Sequence, residues 1–163
     1  MDDVAEAAGV TKPVLYQHFR SKRELYLELL EDVGAQLTEA ITTATADAEG
    51  PRQQVQLGFA AYLQFVAEQE SAFSLLFGSG ARRDAEFADA VRRVEASLAL
   101  AIAELIEADI DELHQRTLGY ALVGMAEGAV RHALADGVTL EPMRMSRQLA
   151  DLAWAGLRGV RRV

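Results

Sequence analysis

Apolar residues recur along this chain at spacings of three and four. Val55, Phe59, Tyr62 and Val66 follow one another at four, three and four, and Phe87, Val91, Val94, Leu98, Ile102 and Leu105 continue a longer stripe. That period puts one apolar face along a helix, whereas strand-period runs are hard to find. The punctuation agrees with the period. A first helix is predicted from Asp3 to Ala8, stopped by Gly9, which can take the left-handed conformation of a C-cap. Thr11 caps a second, Lys12 to Phe19, with Pro13 in the first turn, where a missing amide donor is harmless. Ser21-Lys22-Arg23-Glu24 is a capping box opening a long third helix to about Ala46. After the break at Glu49-Gly50-Pro51, helices are predicted at Arg52 to Gln69, Ala72 to Phe77 (ended by Gly78-Ser79-Gly80), Asp84 to Ala108, Asp111 to Ala135 and Met143 to Val160. The last two, separated by Asp136-Gly137 and Pro142, are predicted to form an antiparallel hairpin. The fold class expected is all-α.

Composition narrows the function. A chain of 163 residues, 50% of them hydrophobic, can bury a real core and fits one domain with a small appendage. There is no cysteine, which excludes disulfide scaffolds, thiolate zinc sites and cysteine nucleophiles and suits a reducing cytoplasm. No apolar run approaches membrane-spanning length, and two aspartates follow Met1 in place of a basic export signal. A cytoplasmic protein without a membrane partner is expected. The formal net charge of -9 argues against a surface that coats polyanions as a whole. Its distribution changes that picture: Thr11 to Arg23 holds Lys12, Arg20, Lys22 and Arg23 and no acidic residue. A local cationic patch on an acidic body is where phosphate would bind.

The order Val4-Ala5-Glu6-Ala7-Ala8-Gly9-Val10-Thr11-Lys12-Pro13-Val14-Leu15-Tyr16-Gln17-His18-Phe19 is that of a helix-turn-helix. Ala5 and Ala8 allow a tight helix crossing, Gly9 makes the turn, and Val10, Leu15 and Phe19 anchor the second helix from behind. Lys12, Pro13, Val14 and Gln17 face outward, as in a helix that puts its N-terminal residues on base edges in the major groove. Lys12 and Gln17 can pair with base edges and Val14 can touch a thymine methyl, while Tyr and His tips and a helix-start Lys can hold phosphate. From Ala8 through Leu25 the sequence resembles the DNA-binding signature of the tetracycline-repressor (TetR) family, and the resemblance extends over about Asp3 to Leu30. It implies that Thr11, Tyr16, His18 and Lys22 contact phosphates and that Lys12, Pro13, Val14 and Gln17 face bases. It also implies a helix ahead of Asp2 that this chain lacks, so an upstream extension of the reading frame is expected, supplying core contacts and backbone amides to DNA. Residues 1–26 are then the DNA-binding domain and 27–163 the effector-binding and dimerisation domain.

Phe59, Tyr62, Phe65, Phe73 and Phe77 are individually ordinary core residues, but together they could wall an apolar cavity. The resemblance implies an effector pocket here, with Leu63, Val66, Leu98, Met125 and Trp154 as further lining. Gly124 and Gly128, with Leu149, Leu152, Gly156 and Leu157, form small and apolar faces that suit a four-helix bundle between two subunits, which is what the family layout implies. Arg131 and Glu127 are either rim ion pairs or pocket groups. His114 and His132 have no partners at metal-ligand spacing, and the carboxylates Asp109, Asp111 and Glu112 look like a helix-cap region. With no nucleophile and base, phosphate loop or metal cluster in view, neither an enzyme nor a cofactor is expected. The function implied is a homodimeric regulator, most often a repressor in this family, that binds a pseudo-palindromic operator and is released by a small, largely apolar effector. The alternative is a helical ligand-binding or protein-interaction module whose front no longer reads DNA.

Overall fold

A computed structural model describes residues 1–70, 73 and 85–159, and every regular element among them is α-helical. In chain order these are α1 (Asp2–Ala7), α2 (Lys12–His18), α3 (Lys22–Thr45), α4 (Pro51–Glu68), α5 (Ala85–Glu104), α6 (Glu112–Ala135) and α7 (Pro142–Leu157). The segment expected at Ala72 to Phe77, with its Gly78-Ser79-Gly80 stop, lies outside the described residues except for Phe73. No helix among the described residues is long and apolar enough to cross a membrane.

The caps account for the boundaries. Gly9 has φ +66°; its amide bonds to the Glu6 carbonyl at 3.1 Å, and the Val10 amide to the Ala5 carbonyl at 2.9 Å. This pair of reverse bonds closes α1 and needs a left-handed residue at its centre. Gly137, at φ +64°, ends α6 in the same way, with the Val138 amide on the Ala133 carbonyl at 2.8 Å. At the start of α3 the Ser21 hydroxyl accepts from the Glu24 amide at 3.1 Å, while Glu24 reaches one residue further back than expected, to the Arg20 amide at 2.5 Å. Asp111 caps α6 by accepting from the His114 amide at 2.8 Å, so one of the clustered carboxylates is a cap.

The main core is built on α3 to α7. Leu30, Leu63, Val66, Val91 and Val130 are its largest fully buried side chains. α4 packs most extensively on α7, α5 on α6, and α3 against both α4 and α5. The expected hairpin of the last two helices is therefore corrected: α6 and α7 touch sparingly, because α7 buries Ala150 and Ala153 in the core beside α4, leaving much of both helices' other faces uncovered. One backbone approach is unusually close. A Cβ at Gly119 would run into the Ala99 carbonyl oxygen, so this glycine lets α6 lie directly on α5.

The first two helices stand apart from that core. Ala5, Leu15 and Leu25 are buried but lie outside the main cluster. One expected anchor is corrected: Val10 is 38% exposed, and Ala8, expected at the crossing, is exposed as well. Leu15 alone is fully buried beneath α2, with Phe19 half-buried at its end.

Candidate nucleic-acid interface and interior cavity

α2 is two turns long and rests on Leu15. Around that one buried position Thr11, Lys12, Pro13, Val14, Tyr16, Gln17 and His18 are all exposed, and Lys22 is exposed at the start of α3. The residues expected to face DNA are thus all accessible to solvent. Thr11 caps α2 with its backbone, its carbonyl accepting from the Val14 amide at 3.0 Å, and makes no side-chain cap bond, so its hydroxyl is left for other partners. Lys12 is not idle: its ammonium donates to Asp2 at 3.0 Å, and the hydrogen bond, reinforced by attraction, lowers the Asp2 pKa and raises that of Lys12. Both groups are fully solvated, and exposed pairs of this kind are weak enough to give way to a polyanion.

Behind the front, Arg23 ties the head to the body. Its guanidinium bonds to Glu86 at 2.5 Å and lies 4.7 Å over the Phe87 ring, which in turn packs on Tyr26 with centroids 4.3 Å apart. Arg93 reaches Glu31 at 3.4 Å further along both helices. The start of α5 is thereby held against the first third of α3. Of the expected cationic patch, Lys12, Arg20 and Lys22 remain in front, while Arg23 is turned to an internal role.

The other end of α3 reaches an apolar cavity of about 70 Å³, room for several waters at roughly 10–15 Å³ each. α3 contributes Ile41 and Thr45; α4 contributes Gln54, Val55, Gly58, Phe59 and Tyr62; α5 and the turn after it contribute Ile102, Leu105 and Ile106; α6 adds Leu122, Val123 and Ala126; and α7 adds Leu157. The Thr45 hydroxyl is spent on the Ile41 carbonyl at 2.8 Å. Tyr62 is buried, its phenol pushed well above the usual range by desolvation and then by the Glu127 and Glu95 carboxylates, against a smaller opposing effect of Arg131.

Of the residues expected to line a pocket, the structure brings Phe59 and Tyr62 together on the wall. Leu63, Val66, Phe73 and Leu98 instead pack within the main core, with Phe65 beside them. Met125 packs on that core partly buried, Trp154 is half-buried without lining the cavity, and Phe77 lies outside the described residues. Two of these aromatics line the cavity and the other described ones do not, because α4 packs on several neighbours and buries aromatics on faces that line nothing. The cavity's other lining residues, Ile41, Thr45, Gln54, Val55, Gly58, Leu122 and Val123 among them, have no aromatic signal; the stripe through Ile102 and Leu105 was the available clue.

The expected interface residues divide as well. Gly124 and Gly156 are exposed and Gly128 half-exposed, and a Cβ at any of them would meet nothing within 4 Å. Leu152 is 65% exposed. Leu149 is partly buried on the core and Leu157 turns inward to the cavity. Glu127 and Arg131 form a pair at 3.5 Å, with the carboxylate nearly buried and the guanidinium half in solvent.

Two family models match. That for the N-terminal region of bacterial regulatory proteins of the tetR family covers residues 1–29, and that for a tetracyclin repressor-like C-terminal domain covers residues 51–156. Among curated relatives, the HTH-type transcriptional activator FasR of Mycolicibacterium smegmatis is 29% identical over 159 residues, 96% of this chain and 73% of its own. The HTH-type regulator YdgC of Bacillus subtilis is 23% identical over 167 residues, 96% of this chain and 81% of its own. A TetR-like regulator from Rhodococcus sp. RHA1 superposes with TM-score 0.71 at 27% identity, covering 98% of this chain and 84% of that one. The regulator PfmR from Thermus thermophilus shares the fold at TM-score 0.58 and 21% identity, over 99% and 88% of the two chains. With its two-turn reading helix exposed and both parts matched, this chain belongs to the tetR family of bacterial regulatory proteins, DNA-binding transcription factors and not enzymes.

Proposed function

We propose that two copies of this chain bind a pseudo-palindromic operator, each presenting α2 to a major groove, with residues 1–26 as the reading head and 27–163 as the effector and dimer body. The observation that carries the reading is the exposure of Lys12, Pro13, Val14, Tyr16, Gln17 and His18 around the single buried anchor Leu15. Lys12, Pro13, Val14 and Gln17 meet base edges, and Thr11, Tyr16, His18 and Lys22 meet phosphates. Dimerisation uses the uncovered faces of α6 and α7 around Gly124, Gly128, Leu152 and Gly156. Two-fold symmetry then spaces the half-sites about one turn of DNA apart, ~34 Å.

The effector site is the cavity at the far end of α3. With 24 residues, α3 is about 36 Å long and joins the reading head to Ile41 and Thr45 on the cavity wall. α5 runs alongside: its start grips α3 through Arg23, Glu86 and Phe87, and its end supplies Ile102 to the same wall. A ligand that spreads this wall changes the separation of the two heads. It releases DNA only if it binds the released state more tightly than the DNA-bound one.

The sign of control has two readings. Release from an operator that overlaps a promoter is repression; the relative named as an activator favours the other arrangement, in which the bound protein promotes transcription. The test of the shared core is a fluorescence-anisotropy titration with duplexes from the promoter region beside the chain's own gene and with a scrambled duplex, at two salt concentrations. Saturable binding to the former that weakens with salt supports the proposal. Equal, feeble binding to both sends the function to the alternative, a ligand-binding module that does not read DNA.

A further inference from the structure

The cavity is graded. Gln54, Val55, Leu105 and Leu157 are half-exposed at one end, while Phe59 and Tyr62 are buried at the other. Gln54 and Tyr62 lie eight residues apart on α4, so the space runs about 12 Å along that helix. Tyr62 is only 4% exposed, with its ring edge-on to Phe73 at a centroid distance of 6.3 Å. Among the described residues no hydrogen bond engages its hydroxyl, yet none of their side-chain oxygens is sealed in without a partner. The phenol oxygen is therefore neither bonded within the described residues nor sealed in, and its residue lines the cavity. An accessible O–H in an otherwise apolar wall is the one lining donor that a molecule from outside the chain could meet beside Gln54 and Thr45, whose hydroxyl is already spent.

The charge around this donor restricts that partner. No residue of the lining carries a formal charge. The Glu127 and Glu95 carboxylates act on the phenol, and the cation that opposes them, Arg131, is paired with Glu127 at 3.5 Å. Burial and the two carboxylates keep the phenol protonated, hence a donor, throughout the ordinary pH range. An anionic head would enter an apolar space, facing two carboxylates, with no cation of its own.

We propose that the Tyr62 hydroxyl is the polar anchor of the cavity, donating to the acceptor oxygen of an elongated, uncharged and otherwise apolar ligand of the ketone or ester type. This rests on reading the cavity as the effector site. The ligand enters past Gln54 with its acceptor leading, parting walls that enclose only about 70 Å³ before it binds, with its apolar remainder along Phe59, Val55 and Ile102 and its acceptor on an O–H that no described residue engages.

Three probes of similar shape test it by isothermal titration calorimetry on the full chain: 4-phenylbutan-2-one, butylbenzene, in which a methylene replaces the carbonyl, and 4-phenylbutanoate. The ketone is expected to bind about tenfold tighter than butylbenzene, with the carboxylate weakest. In Tyr62→Phe, which keeps the ring, the ketone should fall to the affinity of butylbenzene while butylbenzene itself is unchanged, which also reports that the variant is folded. If the ketone keeps its advantage in Tyr62→Phe, or if 4-phenylbutanoate binds tightest, the anchor is overturned and the effector site stands. If none of the three binds the parent chain, the anchor and the effector site fall together, leaving the DNA-reading head untouched.

Discussion

Tyr62 holds its proton more tightly in the folded protein than it would in the unfolded chain, because burial and the nearby Glu127 and Glu95 carboxylates disfavour the phenolate. A raised folded pKa means that this contribution to stability is complete below the unfolded value of about 10 and is lost as pH climbs above it. The melting temperature should therefore drop more steeply from pH 10 to 11 in the parent than in Tyr62→Phe, measured by circular dichroism. Tyr26, also raised by burial, provides a background common to both proteins. Parallel declines would show that the Tyr62 phenol is not desolvated. At the opposite end of the chain Lys12 and Asp2 hold a fully exposed pair, which shields the lysine only until a stronger anion arrives.

The helices are set by two kinds of glycine, and the difference is testable. Gly9 and Gly137 serve backbone geometry at helix ends, whereas Gly119 serves a crossing. Gly119→Ala forces its new methyl against the Ala99 carbonyl of α5, a backbone atom that cannot rotate away. We expect a loss of about 1–3 kcal/mol, read by urea denaturation, while Gly124→Ala, with open space around it within the chain, should be neutral or stabilise by up to about 1 kcal/mol through helix propensity. Equal effects would mean that α5 and α6 are not in close contact. Much of this scale was legible in the sequence. The periodic stripes, the Ser21 box, Gly9 and Gly137 placed the helices to within a few residues, since caps and periods are local. What required the structure is non-local: that α7 packs on α4 instead of α6, that Leu157 turns inward, and that Val10 is left outside. The exposed positions of α2 were legible because a two-turn helix with one buried residue has few ways to sit. The cavity was only half legible, because its aliphatic lining, such as Ile41, Leu122 and Val123, looks like core until the helices are assembled.

For the molecule as a whole, the outer faces of α6 and α7 are too apolar and too thin to be idle. Leu113 is 75% exposed, Leu152 65% and Met143 61%, and Gly124, Gly128 and Gly156 on the same two helices have open space around them. The proposed homodimer covers them. Leu152→Asp should leave the folded chain within about 0.5 kcal/mol of the parent yet shift it from dimer to monomer in sedimentation velocity. Operator affinity should fall by at least about tenfold, because the second head no longer binds intramolecularly. A variant that stays dimeric would place the interface elsewhere. The central claim, that α2 reads base sequence through its outward face, is tested most directly by binding Gln17→Ala and Tyr16→Phe to a panel of operators carrying every single-base change. Tyr16→Phe should weaken all members nearly equally, whereas Gln17→Ala should relax discrimination at one position by roughly 1–3 kcal/mol. If both variants lose affinity uniformly across the panel, Gln17 does not face a base and the assignment of the reading face is wrong.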